Sequence, residues 1–187
     1  MEVKKTMSIF GRIGIAYRRN RKIKKYLRMN IEEMKKLSDD ELYDVISTLT
    51  REEDIMQVNE YVSNTEGVKR IFYVVDYFNM EIFIGGLCQF FVNESKDVAP
   101  YVMECLNMIG ALQYEKLFRE FTEKHKIDLN ELTSFEIDEV EEYEEQMEKY
   151  PFEEFDDLYY ELDENEPLEE LLIKYVKLHL EEFVFTK

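Results

Sequence analysis

Two thiols, two imidazoles and a run of paired carboxylates are the side chains of this sequence best suited to act on a substrate. Cys88 and Cys105 are its two cysteines, and His125 and His179 its two histidines. A nucleophilic thiol needs a neighbouring base or cation to become thiolate. Around Cys88 stand Leu87, Gln89 and Phe90, which supply neither. Both cysteines lie in apolar stretches, so they read as buried structural thiols of a reducing compartment. Neither histidine has a cysteine or acid at metal-ligand spacing, and no His-Glu-x-x-His motif occurs, so each reads as a surface helix residue. The pairs Glu141-Glu142, Glu144-Glu145, Glu153-Glu154 and Asp156-Asp157 invite a metal centre. Di-metal bundles use Glu-x-x-His on facing helices, and no glutamate here has a histidine three residues later. The EF-hand pattern is missing too, which leaves weak surface binding of Mg²⁺ or Ca²⁺. Gly11-Arg12-Ile13-Gly14 lacks a third glycine and a preceding strand, and Gly85-Gly86 sits in an apolar run, so neither cradles a phosphate. The expectation is a protein without catalysis, cofactor or metal. An enzyme using clustered carboxylates and a divalent cation is the rival.

Charge is the stronger signal. The chain has 187 residues with 24 basic and 42 acidic side chains, a net of −18. That is far beyond the magnitude of roughly 2–8 that serves a small soluble domain. It disfavours nucleic acid as a direct ligand, because phosphates are repelled. The charge is also segregated. Residues 1–28 carry ten basic side chains against one acid, Glu2, a net of +9. Residues 131–170 carry 19 acids against one base, Lys149, a net of −18. An acidic linker is usually poor in aromatics. Here Phe135, Tyr143, Tyr150, Phe152, Phe155, Tyr159 and Tyr160 are interleaved with the acids, which points to ordered helices with one acidic face. The basic segment reads as a helix, with Ile9, Ile13, Tyr17, Ile23 and Leu27 on one stripe. Its basic face is either solvated or paired with the acidic half, masking it until a partner competes it off. A basic amphipathic helix on an anionic membrane is the alternative.

The elements that position these charges are helical. Three prolines and six glycines are few breakers for this length. Ser38-x-x-Glu41 is a capping box before Leu42, Val45, Ile46 and Leu49 at helical spacing. Val68, Ile71, Phe72, Val75 and Phe78 continue the period in what reads as a central helix. Residues 80–92 are nearly all apolar and fit a buried strand or a helix bent at Gly85-Gly86; the flanking patterns favour the helix. Asp97 is expected to cap the next helix, with Pro100 in its first turn and Gly110 in its last. Asp128 or Asn130 caps a short segment, and Val140, Tyr143 and Met147 line one side of an acid-rich helix that Pro151 interrupts. Pro167 opens a last helix with Leu168, Leu171, Leu172, Tyr175, Leu178 and Phe183 at helical spacing. The reading is all-α: a compact domain of about eight or nine helices with an acidic C-terminal half. Residues 1–30 form a basic helix or arm, and 31–187 form the domain. No run of about 18 apolar residues suggests a membrane span. A cytoplasmic protein is expected, with no membrane partner.

Residues 81–93 read EIFIGGLCQFFVN, followed by ESKDVAPYVMECLNMIGALQYEKLFREF and later by FDDLYYELDENEPLEELLIKYVKLHLEEF. An acid and apolar residues precede Gly-Gly, then come Gln-Phe-Phe and Asn, and a later helix ends Ile109-Gly110-Ala111. This pattern resembles the bacterial DNA-mimic protein family, over about residues 66–185. The resemblance implies an all-α fold, no known catalysis, and carboxylates presented like DNA phosphates to a transcription factor. Gly85, Gly86, Gln89, Phe90, Phe91 and Asn93 match the family core and read as fold-makers: close helix approach, aromatic packing and amides closing a turn. The basic N-terminus departs from an acidic mimic.

Local charge density alone nominates the partner contacts: Glu136, Asp138, Glu139, Glu141, Glu142, Glu144, Glu145, Glu148, Glu153, Glu154, Asp156 and Asp157. If wholly helical, residues 131–170 would extend about 60 Å and carry roughly one acid per 3 Å. One DNA strand carries a charge per about 3.4 Å. Pro151 and Pro167 forbid a single straight rod. The expected partner is a basic nucleic-acid-binding protein, with a homodimer possible. An immunity-type inhibitor of a basic toxin nuclease, and a helical domain whose acidity serves solubility, are the alternatives.

Overall fold

A computed structural model describes residues 21–53 and 58–183. Ile9, Ile13 and Tyr17 of the basic stripe, and the side chain of Val140, lie outside the described residues. Residues 21–26 are helical. Nine further α-helices follow among the described residues: α1 (Ile31–Met34), α2 (Asp39–Glu53), α3 (Val58–Asn64), α4 (Gly67–Val92), α5 (Ala99–Met108), α6 (Leu112–His125), α7 (Val140–Lys149), α8 (Phe152–Asn165) and α9 (Leu168–Leu178). Short 3₁₀ turns at Glu94–Val98, Thr133–Phe135 and Leu180–Glu182 join them, and no strand occurs among the described residues. The all-α expectation holds.

Helix α4 is the axle. α2, α3, α5, α7, α8 and α9 all pack against it. Val68, Ile71, Phe72, Val75 and Phe78 are buried along it, as their spacing predicts. α4 is long and apolar enough to cross a membrane by length and composition, yet 67% of its apolar window is buried inside the fold. Around its second half the core is largely aromatic. Phe78 meets Phe90 at 5.0 Å and Phe118 at 5.2 Å, and Phe91 meets Phe135 at 4.9 Å, each measured between ring centroids. Phe121 and Phe155 pack at 5.3 Å, which ties α6 to α8. Tilted and edge-to-face pairs of this kind contribute about 0.5–1.5 kcal/mol each beyond the area they bury.

Several local signals are realised. At Ser38 the backbone N–H donates to Glu41 Oε2 at 3.0 Å, and the Glu41 N–H donates to Ser38 Oγ at 3.3 Å. These bonds hold the Glu41 carboxyl below its usual range. A second box, Asn30 with Glu33, opens α1 and was not expected. Leu42, Val45, Ile46 and Leu49 are all buried. Gly110 takes φ +81° and ends α5, while Ala111 N–H reaches back to Leu106 O at 2.9 Å. Pro151 and Pro167 stand at the starts of α8 and α9.

Four readings are corrected. Asp97 does not cap α5: residues 94–98 form a 3₁₀ turn, and Val98 holds the cap position without a side-chain bond. Asp128 accepts from the Asn130 N–H, but Glu131 is the residue that binds the Thr133 N–H at the following turn. Leu178 is 78% exposed, because the buried stripe of α9 advances in steps of four through Leu168, Leu172, Val176 and Leu180. His125 is no simple surface residue, since its ring packs 4.7 Å from Phe121 and 5.6 Å from Tyr150.

Residues 85 and 86 interrupt α4. Gly85 has φ −161°, ψ 21°, and Gly86 has φ 75°, ψ −176°, so two helical segments meet at a break. A Cβ on Gly86 would lie 2.1 Å from Asp156 Oδ2, whereas one on Gly110 would meet nothing within 4 Å. Both positions have the left-handed φ that suits glycine, at about 1–2 kcal/mol for any other residue. Gly86→Ala therefore carries a second cost. We expect it to lower stability by roughly 2–4 kcal/mol and Gly110→Ala by about 1–2 kcal/mol in urea unfolding. Equal losses would show that the contact with Asp156 is unimportant.

Candidate functional site

The break in α4 frees backbone groups that must find partners elsewhere. Side chains of the acid-rich helices supply them. Asp156 Oδ1 on α8 accepts the Leu87 N–H at 2.9 Å. It thereby caps the second segment and puts negative charge at a helix N-terminus. Tyr160, one turn further along α8, donates to Ile82 O at 3.0 Å. Tyr143 on α7 donates to Gly85 O at 3.2 Å. Across the break, the buried carboxylate of Glu81 accepts from Gln89 Nε2 and Asn93 Nδ2, both at 3.0 Å into Oε2. The residues Gly85, Gly86, Gln89 and Asn93 thus belong to one device, with Phe90 and Phe91 packed into the core beneath it.

This device fixes where the acids stand. Of the twelve candidate contact residues, eleven are exposed and Asp156 is partly buried. Burial lifts the Asp156 carboxyl to about 6, against the bond from Leu87 and with the help of Asp157 and Glu153. Asp156 is therefore the internal cap, and its neighbours carry the surface. Glu142 Oε2 accepts from the backbone N–H of Asp138 at 2.6 Å and of Glu139 at 3.2 Å, which keeps its carboxyl below the usual range. Glu136 lies 3.5 Å from Lys96 Nζ. Glu141, Glu144, Glu145, Glu148, Glu153, Glu154 and Asp157 have no hydrogen bond or ion pair among the described residues. On α7, positions 141, 144, 145 and 148 share one face by helical spacing. The four charges follow one another in steps of about 4.5, 1.5 and 4.5 Å along the axis, a mean of about 3.5 Å. That matches the roughly 3.4 Å phosphate rise of one DNA strand.

Two further acidic places were not nominated by charge density. Asp39 and Asp40 open α2 and Glu169 and Glu170 open α9, and these first turns meet in one hollow with Phe83 and Asp163. The signal was local in each case, since acids in a first turn favour a helix start, but their meeting is long-range. Of the basic segment only residues 21–28 are described, and the rest of it lies outside the described residues. Lys22 Nζ pairs with Asp44 of α2 at 2.6 Å, and the Tyr26 hydroxyl donates to the other Asp44 oxygen at 2.6 Å. No ion pair joins residues 21–30 to 131–170 among the described residues. Arg21, Lys24, Lys25, Arg28 and Lys36 instead border a groove of about 850 Å³.

The thiols sit as expected. Cys88 and Cys105 are buried, and burial pushes Cys88 up to about 11 and Cys105 up to about 12. His179 stands 4.4 Å from the Tyr175 ring and 2.8 Å from Glu182. Among the described residues, no three histidines, cysteines or acids are grouped to hold a metal ion.

The family model described as DMP19-like protein covers residues 63–179, which include the whole break in α4 and all of the acidic segment 131–170. No curated protein and no solved structure matches the sequence significantly.

Asp156 has a pH signature. Its carboxyl titrates near 6 when folded and near 3.8 ordinarily, so between these values the folded chain holds the extra proton. Its contribution to stability therefore falls as pH rises through that window. We expect the stability difference between the parent chain and Asp156→Asn to shift against the parent from about pH 4 to about pH 6, then level off. Urea unfolding at several pH values measures it. A pH-independent difference would place Asp156 in water.

Proposed function

The chain belongs to the DMP19-like family, a family of DNA-mimic proteins, and we propose that it is a non-enzymatic mimic that occupies the basic nucleic-acid site of a DNA-binding protein such as a transcription factor. The observation that carries this reading is the unpaired acidic stripe of α7 with its continuation at the start of α8. Its carboxylates are spaced on average like phosphates and have no cation of their own among the described residues. Unpaired surface charge repels itself and destabilises a compact chain. A fold that accumulates it gains fast, steered association with a surface of opposite sign.

Rigid placement matters as much as charge. A flexible acidic tail would lose conformational freedom on binding. Here Asp156, Tyr143 and Tyr160 tie α7 and α8 to the core helix before any partner arrives. The proposed recipient is a protein with a basic groove, and duplex DNA is its natural competitor. Such a protein would share a compartment with DNA, which supports a cytoplasmic location for this chain.

The test is capture on the immobilised chain at low salt, with a fourfold variant alongside. The captured protein is expected to be basic, to leave in a salt gradient and to be displaced by duplex DNA. Replacing Glu141, Glu144, Glu145 and Glu148 with glutamine is expected to weaken its affinity by about tenfold or more, at roughly 0.2–1 kcal/mol per exposed pair, with the melting temperature equal to or above the parent's. A partner that ignores both DNA and the fourfold change would sink the reading.

A further inference from the structure

Helix α4 buries most of its apolar side chains but leaves two in water. Phe83 is 51% exposed and Ile84 is 64% exposed, immediately before the break. The break turns the chain at this point, so the first segment of α4 ends with these two side chains at the surface. The Phe83 ring is held at one edge, 5.6 Å from Tyr160 and 6.2 Å from Tyr159 by ring centroids. On its other side opens a hollow of about 350 Å³.

The hollow is acidic. Asp39, Asp40, Asp163, Glu169 and Glu170 line it together with Phe83, and Asp39 is paired with Lys177. Asp163 is engaged, since it accepts from the Tyr114 hydroxyl at 3.1 Å and from the Leu168 N–H at 2.9 Å. The side chains of Asp40, Glu169 and Glu170 have no hydrogen bond or ion pair among the described residues. Burial, together with Asp76, Asp40 and Asp163, raises the Glu169 carboxyl above its usual range. Among the described residues Lys177 is paired with one of these five carboxylates, so the hollow holds more acids than bases beside an aromatic face.

We propose that Phe83 and the carboxylates of this hollow form the docking point for an arginine side chain on the basic partner. The proposal deepens the reading of the chain as a ligand for a nucleic-acid-binding protein and rests on it. Charge complementarity selects a cation. The exposed ring selects arginine over lysine, because a planar, weakly hydrated guanidinium stacks on an aromatic face while its N–H groups reach carboxylates. The lysine ammonium is compact and strongly hydrated, and gains less from the ring. An arginine that leaves DNA phosphates would find here both the charge and the apolar contact that DNA does not offer. The contact gives a mimic specificity that a bare row of carboxylates lacks.

The experiment uses the full chain and two small probes, an acetylated and amidated Gly-Arg-Gly peptide and its lysine counterpart. Backbone amide shifts are followed by NMR during titration. The arginine probe is expected to shift the amides of Phe83, Tyr160 and Glu170 saturably, and to bind about two- to fivefold tighter than the lysine probe. Phe83→Leu keeps an apolar side chain on the exposed surface but removes the ring. It is expected to abolish the preference for arginine with at most a small drop in melting temperature from the lost ring contacts, while Phe83→Tyr keeps the preference. Shifts centred on residues 141–157 instead, or a leucine variant that still prefers arginine, would overturn the proposal. These outcomes are independent of partner capture. Failure to capture a DNA-competed partner would refute the mimic reading even where the arginine preference held.

Discussion

Everything on the acidic side of this molecule depends on satisfying the backbone groups exposed by the break in α4. A helix through an aromatic core cannot leave a free N–H and free carbonyls in that core without a cost of about 1–3 kcal/mol for each. Asp156, Tyr160 and Tyr143 answer that demand from α8 and α7, and Glu81 binds the two sides of the break together. The same bonds that repair the central helix hold the two most acidic helices in place. Structure and presentation of charge are therefore one problem with one solution.

The chain tolerates its charge by two devices. Many acids sit in the first turns of helices, at Asp39–Glu41, Glu141–Glu142, Glu153–Glu154 and Glu169–Glu170, where the helix dipole favours them. Beneath them lies a dense cluster of phenylalanine and tyrosine, whose burial opposes the mutual repulsion of the surface. Basic residues are used locally. Lys22 meets Asp44, Lys35 meets Glu181, and Lys177 meets Asp39, all around α1, α2 and α9 rather than on α7. The stripe on α7 has no ion pair among the described residues.

Local patterns in the sequence reveal much of this. The capping box at Ser38, the glycine at 110, the prolines at 151 and 167 and the buried faces of α2 and α4 each depend on neighbours within about one or two helical turns, where spacing is informative. The Gly-Gly bend was legible as a bend, and Gln89 and Asn93 as amides closing it. What spacing cannot reveal is a pair such as Asp156 and Leu87, 69 positions apart. Asp156 is chemically identical to its exposed neighbours, so charge density counts it among the contacts although its place is inside. Leu178 fails for the opposite reason: its spacing fits a stripe, but packing against α2 and α4 selects a neighbouring one. The hollow at Phe83 joins residues from α2, α4, α8 and α9, and no window of sequence contains it.

The central claim is that this chain and DNA occupy the same site on one protein. The direct measurement is the affinity of the captured partner for duplex DNA at rising concentrations of the chain. Strict competition predicts that the apparent Kd for DNA climbs in proportion to the chain, without limit, and that no species contains all three. A plateau in that Kd, or a stable ternary complex, would contradict mimicry and show that the acidic helices bind elsewhere.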